Sequence, residues 1–128
     1  MAGKFRLLIV DDNAELTETF KDIFELKGFE VVTALDGEQA LAEVRKQDFD
    51  VVLLDLVLPG MNGAATLREI RKLNDQTKFV VVTAYTGSEQ VEEVKNNGAL
   101  RVFAKPLVVK EIVELIGKLR DEARAQEA

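Results

Sequence analysis

The sequence contains no cysteine, no histidine and no tryptophan, and only two prolines. Without cysteine there are no disulfides, thiolate metal sites or thiol nucleophiles. Without histidine there is no imidazole to act as a general base, a metal ligand or an internal phosphate carrier. No apolar run approaches the roughly 20 residues that span a bilayer, so no membrane association is expected. The opening stretch MAGKFRLLIVDD has neither the length nor the small-residue cleavage site of a secretory signal, and a cytoplasmic location is the expectation. Positive charge is also scarce: 17 Lys and Arg against 23 Asp and Glu leave a formal net charge of −6. Non-specific affinity for a phosphate backbone comes mainly from Lys and Arg, so direct nucleic-acid binding by this domain is not expected.

What is present reads as one domain of ordinary size. Its most informative stretch is Asp50 to Gly63, DVVLLDLVLPGMNG. Val51, Val52, Leu53 and Leu54 form an unbroken apolar run, the pattern of a strand whose sheet is covered by helices on both faces. The run ends in Asp55, and a carboxylate at the carboxyl end of a central strand sits where open α/β sheets hold ligands. Pro59, Gly60, Asn62 and Gly63 then mark a loop. Asp55 could otherwise do no more than terminate its strand.

Along the chain, Phe5 to Val10 reads as a first strand that stops at Asp11 and Asp12. Leu16, Phe20, Ile23 and Phe24 recur at helical spacing, and Gly28 supplies the stop. Phe29 to Leu35 is a second strand, closed by Asp36 and Gly37, and Ala40, Leu41 and Val44 mark a short helix. After the central strand, Leu67, Ile70 and Leu73 define a third helix, and Phe79 to Thr83 a fourth strand. Val91 and Val94 lie on a mostly polar helix closed by Asn97 and Gly98. Arg101 to Ala104 is a short fifth strand ending at Lys105 and Pro106, and Ile112, Val113, Ile116 and Leu119 make the last helix amphipathic. This (βα)5 alternation demands a doubly wound α/β fold: a parallel five-stranded sheet with right-handed crossovers. Residues 121–128 read as a polar, helix-compatible tail or the start of a linker.

In a parallel sheet, all strand ends of one sense lie on one edge. Asp11, Asp12, Asp55, Thr83 and Lys105 therefore converge. Like charges 4 Å apart cost roughly 4 kcal/mol at an effective dielectric near 20, so either one carboxyl is protonated or a cation sits among them. Few, hard oxygen ligands suit Mg2+ better than a transition metal or a caged Ca2+, with Mn2+ as a substitute. Each residue also has a plainer role open to it. Asp11 and Asp12 could cap the helix that follows, Thr83 could bond backbone, and Lys105 could be a solvated loop lysine. All of these holding at once on one sheet edge is a poor account. A carboxylate beside a cation and an ammonium is poised to accept a phosphoryl group, since carboxylate oxygens are competent nucleophiles.

The set of DD after strand one, D-x-x-x-P-G-M-x-G from Asp55, V-V-T-A after strand four and F-A-K-P after strand five resembles the receiver domain of bacterial two-component response regulators. The match runs over residues 4 to 120 in order and spacing, and a receiver domain is expected over residues 1–120. The resemblance implies the flavodoxin-like strand order 2-1-3-4-5, with the first and third strands adjacent at the switch point. It implies that Asp55 accepts phosphate from a sensor histidine kinase or a histidine phosphotransfer protein. It further implies that Asp11, Asp12, Asp55 and the Val57 backbone carbonyl bind Mg2+, while Thr83 and Lys105 hold the phosphoryl group near the Ala84 backbone. A cis Lys105–Pro106 bond, kinase docking around Ala14, Thr17, Pro106 and Leu107, and output through the fourth helix, fifth strand and fifth helix follow from the same source. Val57 and Tyr85 occupy positions that bear on phosphate lifetime in that family.

One position departs from the family pattern. Where an aromatic often stands three residues before the lysine, this chain has Val102, and Phe103 should point to the other side of the strand as core. A smaller or loop-confined conformational shift is expected. Two other chemistries fit less well. A haloacid-dehalogenase-type phosphatase needs a carboxylate two residues after the nucleophile, where Val57 stands. A flavodoxin-like cofactor binder would want Ser, Thr and Gly in place of Asp11 and Asp12, whose charges repel phosphate. No turnover of a separate substrate is expected. Within the receiver reading, the domain either passes phosphate along a relay or serves an output domain or protein downstream.

Overall fold

The computed structural model describes residues 4–127, the side chain of Glu127 excepted. Five strands and five helices alternate: β1 (Arg6–Val10), α1 (Ala14–Leu26), β2 (Glu30–Ala34), α2 (Gly37–Lys46), β3 (Val51–Asp55), α3 (Gly63–Leu73), β4 (Lys78–Thr83), α4 (Glu89–Asn96), β5 (Arg101–Ala104) and α5 (Val109–Glu127). The strands form one parallel sheet in the order β2-β1-β3-β4-β5, as expected. β1 and β2 each begin one residue later than the sequence pattern suggests, and β4 one residue earlier.

Side chains alternate across the sheet and build a core on each face. Leu8, Val10, Val52, Leu54 and Val81 pack with Ala40, Leu41 and Val44 of α2, Leu67 and Ile70 of α3, and Val91 and Val94 of α4. Leu7, Ile9, Val51, Leu53, Val80 and Val82 face the other way, onto Phe20 and Phe24 of α1 and Ile112, Ile116 and Leu119 of α5. The central β3 is buried at all five positions, which is why it carries no polar alternation before Asp55. Phe103 joins the α1/α5 side and Val102 lies against the other, as the period of two requires.

Polar residues set the helix starts. Asn13, Asp36, Asn62 and Ser88 each accept a backbone N–H from their own helix, relieving one of its unpaired donors. Gly28 and Gly98, at φ 92° and 87°, adopt the left-handed conformation that ends α1 and α4. Residues 121–127 continue α5 rather than leaving it, and Ala123 packs partly buried against the α1/α5 core. Ala128 and residues 1–3 lie outside the described residues. Among the described residues no helix is long and apolar enough to cross a membrane.

Candidate phosphoacceptor and metal site

The parallel sheet brings the carboxyl ends of β1, β3 and β5 to one rim. Asp55 closes β3 and is 3% exposed; Asp11 follows β1 and is 4% exposed; Asp12 beside it is exposed. One carboxylate oxygen from each of the three lies within 4.8 Å of the others. Lys105, immediately after β5, reaches back across the rim. Its Nζ lies 2.8 Å from Asp55 Oδ2 and 3.6 Å from Asp11 Oδ2. The other Asp55 oxygen, Oδ1, accepts the Val57 backbone N–H at 3.0 Å.

Capping does not account for Asp11 and Asp12. The N-cap of α1 is Asn13, whose side chain accepts from Leu16 N–H at 3.1 Å. Asp11 Oδ1 instead accepts the Asn13 N–H at 2.9 Å, which turns the carboxylate inward over the strand end. Burial pushes the Asp11 carboxyl above its usual pKa. The Asn13 N–H opposes that shift, the Asp55 charge adds to it, and the Lys105 charge opposes it. For Lys105, burial works to lower the pKa, but the hydrogen bond to Asp55 and the charges of Asp55 and Asp11 outweigh it and raise it.

Three carboxylates against one ammonium leave the rim with two excess negative charges. The donors are all oxygen, and two of the three carboxylates are buried, so removing the repulsion by hydration alone is costly. That donor set fits a hard divalent cation. Of the transition metals, Zn2+, Cu2+ and Ni2+ favour nitrogen or sulfur ligands, whereas Mn2+ shares the preference for oxygen; the sequence has neither histidine nor cysteine.

Thr83 ends β4 and is buried. Its Oγ1 accepts the Tyr85 N–H at 3.0 Å, so the hydroxyl is tied to the loop before α4 while its own proton is uncommitted to that bond. The Lys105–Pro106 bond is cis. Val57 and Tyr85 are exposed at 47% and 65% and border the site from two loops. Thr17 is a correction: it is 2% exposed and its hydroxyl donates to Ala14 O at 2.9 Å, so it belongs to the helix interior and not to an outer docking surface. Ala14, by contrast, is exposed.

Two features near the site carry little signal in the sequence. Thr66, fully buried, donates its hydroxyl to Asn62 O, the N-cap carbonyl of its own helix, at 2.8 Å and so reinforces the first turn of α3. Gly63 is visible in the sequence as a loop marker, but its contact with the Asp55 peptide is not.

Residues 7–117 match the family described as response regulator receiver domain. A response regulator receiver protein of Anaeromyxobacter sp. (strain Fw109-5) is 37% identical over 110 residues, covering 86% of this chain and 46% of that relative. Sporulation initiation phosphotransferase F of Bacillus subtilis (strain 168) is 34% identical over 113 residues, covering 88% of this chain and 91% of the relative. This chain thus spans less than half of the first relative and nearly all of the second. Among solved structures, a CheY-like response regulator receiver domain protein from Methanospirillum hungatei JF-1 superposes with a TM-score of 0.88 at 31% identity, over 96% of this chain and 99% of that one.

Proposed function

Because this chain belongs to the response regulator receiver domain family, we propose that it works in two-component signalling by taking a phosphoryl group onto Asp55 and changing shape in consequence. The observation that carries the assignment is the 2.8 Å pair between Lys105 Nζ and Asp55 Oδ2 within a cluster of three carboxylates. Family membership makes the donor a phosphohistidine on a separate sensor kinase or phosphotransfer protein; this chain has no histidine to carry one itself.

In the transfer, a carboxylate oxygen of Asp55 attacks phosphorus. The O–P bond forms as the P–N bond breaks, and the bonding pair returns to the imidazole nitrogen, which takes a proton. The Val57 N–H holds one Asp55 oxygen and Lys105 the other, so the carboxylate meets the donor in one orientation. As charge builds on the phosphoryl oxygens, Lys105 moves its hydrogen bonds from carboxylate to phosphoryl group. The Thr83 O–H supplies a further donor. Asp11, Asp12, Asp55 and the Val57 carbonyl are the groups that would hold Mg2+, or Mn2+ in its place. Bound there, the cation neutralises charge as it develops in the transfer.

Transfer places about −1.5 to −2 charges on one residue. Thr83 lies one position beyond the Asp55–Val82 register pair on the neighbouring strand. Drawing its hydroxyl toward the phosphoryl group strains or breaks the bond to Tyr85 N–H, and so passes the change to the loop before α4. With Val102 in place of an aromatic, the change is confined mainly to that loop. In this reading residues 1–120 are the receiver unit and 121–128 its polar helical tail or the start of a linker, with 121–127 continuing α5. No separate substrate is turned over: Asp55 gains its phosphate and loses it by hydrolysis. Partners docking near Ala14 and Pro106, and a downstream output domain or protein, complete the proposal.

The deciding experiment supplies purified protein with acetyl phosphate and Mg2+, and measures acid-labile phosphate. About one equivalent is expected on the native chain and none on Asp55→Asn. Equal incorporation in both rejects the assignment.

A further inference from the structure

The loop that follows Asp55 is held by contacts that none of the phosphoacceptor chemistry uses. Gly63, the first residue of α3, is packed directly against the peptide joining Asp55 to Leu56. A Cβ added there would lie 2.4 Å from Leu56 Cα and 2.5 Å from the Asp55 carbonyl oxygen. Ordinary contact begins at 3.4 Å, so the deficit is about 1 Å. Both atoms are backbone and cannot turn aside. Gly63 is not one of the glycines with positive φ. Its lack of a side chain therefore serves close approach rather than conformation. The Gly63 N–H also donates to Leu56 O at 2.9 Å, closing the loop on itself.

A second contact, within the first turn of α3, fixes the N-cap peptide at which the loop enters the helix. The Thr66 hydroxyl donates to Asn62 O at 2.8 Å, and the Thr66 N–H donates to the same oxygen at 2.9 Å. Thr66 is wholly buried, and an added Cβ at Gly37 would stand 2.3 Å from its Oγ1. Its hydroxyl is thus confined between the start of α2 and the loop.

We propose that Gly63 and Thr66 are positioning residues for Asp55: Gly63 lets the Asp55–Leu56 peptide seat against the start of α3, Thr66 fixes the N-cap peptide of that helix turn, and together they aim the Asp55 carboxylate and the Val57 peptide at the acid cluster. This deepens the reading of Asp55 as phosphoacceptor and rests on it. A displacement of about 1 Å at the reacting group costs on the order of 100-fold in rate. Gly63→Ala imposes a displacement of that size one peptide away.

Three variants test it: Gly63→Ala, Thr66→Val, and Gly98→Ala as a control whose strained φ of 87° lies at the end of α4, away from the site. For each, the thermal midpoint, the Mg2+ affinity followed through the amide signals of Asp55, Leu56 and Val57, and the rate of phosphorylation by acetyl phosphate are measured. Gly63→Ala is expected to lose roughly 100-fold in rate, with weakened Mg2+ binding and displaced amides at those three residues. Thr66→Val keeps the shape of the side chain and is expected to lose several-fold in both, with a nearly native midpoint. Gly98→Ala loses midpoint alone. A folded Gly63→Ala protein with native rate and Mg2+ affinity overturns the proposal. If that variant does not fold, native behaviour of Thr66→Val overturns it instead. Failure of the unsubstituted protein to take up phosphate counts against Asp55 as acceptor, and the Mg2+ and amide measurements still decide the positioning role.

Discussion

Lys105 Nζ lies 2.8 Å from Asp55 Oδ2, although 50 residues separate the two in sequence. The same ammonium stands 3.6 Å from Asp11 Oδ2, so one lysine balances two buried carboxylates. It does in the metal-free protein part of what a cation does among these acids. In the proposed transfer it would follow the charge onto the phosphoryl group.

Removing that lysine leaves Asp11 and Asp55 facing each other unbalanced. Breaking a fully buried pair costs about 3–5 kcal/mol. Because the Lys105 side chain is 30% exposed, water screens part of the effect, and Lys105→Ala is expected to cost about 2 kcal/mol. Urea denaturation of the metal-free protein at neutral pH measures it. Added Mg2+ should recover most of the loss, and a variant as stable as the native chain would contradict the pairing.

Asp12 is exposed, whereas Asp11 and Asp55 are buried. Asp12→Asn should therefore leave the unfolding free energy of the metal-free protein within about 0.5 kcal/mol of native, as for most surface changes. Its Mg2+ affinity should fall by roughly tenfold or more, as ligand-sphere losses do. Amide-detected Mg2+ titration separates the two effects, and unchanged affinity would remove Asp12 from the metal site.

The raised pKa of Asp11 fixes a sign. In the metal-free protein the folded state holds the Asp11 proton more tightly than the unfolded chain does. Its contribution is therefore favourable below the unfolded pKa and is lost as pH rises through the folded one. Asp11→Asn should flatten that part of the stability–pH curve and raise metal-free stability at neutral pH. Mg2+ affinity of the native chain should rise with pH over the same window, because binding must displace the proton. Thermal scans from pH 3 to 8, with and without Mg2+, report both.

Thr83 accepts from Tyr85 N–H at 3.0 Å, which makes the Tyr85 amide a reporter of the hydroxyl. A phosphate mimic should shift that amide strongly in the native chain and little in Thr83→Ala. Loss of one hydrogen bond to a charged group should slow transfer by roughly tenfold or more. An identical Tyr85 response in both proteins would disconnect Thr83 from the change of shape.

Far from the site, Arg71 donates to Asn97 O, Gly98 O, Asp75 O and Thr77 O, and lies 5.1 Å from the centre of the Phe79 ring. It ties the ends of α3 and α4 to the start of β4. Arg71→Ala should cost about 2 kcal/mol by denaturation while leaving Mg2+ affinity native. A loss of Mg2+ binding would mean that α3 and α4 are coupled to the acid cluster.

The elements were legible where burial dictates the residue. The apolar run of β3 announces a strand covered on both faces, and its end announces Asp55. Phe103 and Val102 could be sorted to opposite faces by the period of two alone. Legibility failed where a residue's role depends on what the fold lays against it. Thr17 reads as a helix surface position but turns inward, its hydroxyl satisfied by Ala14 O. Gly63 and Gly37 read as turn residues, yet each is small because another segment comes within contact distance. The four carbonyls around Arg71 come from two separate stretches of chain, 75–77 and 97–98, and no local pattern marks them.

The sequence by itself determined the chemistry that is available: acids, a hydroxyl and a lysine at strand ends, with no imidazole and no thiol. Its alternation of strand and helix required the strands to run parallel, and parallel strands place their carboxyl ends on one rim. Tertiary structure alone decided the distances. The order β2-β1-β3-β4-β5 sets Asp11 beside Asp55, and Lys105 crosses the rim to reach both. A charge's effect depends on its separation from other charges and on the water it has lost, and neither exists until the sheet has closed.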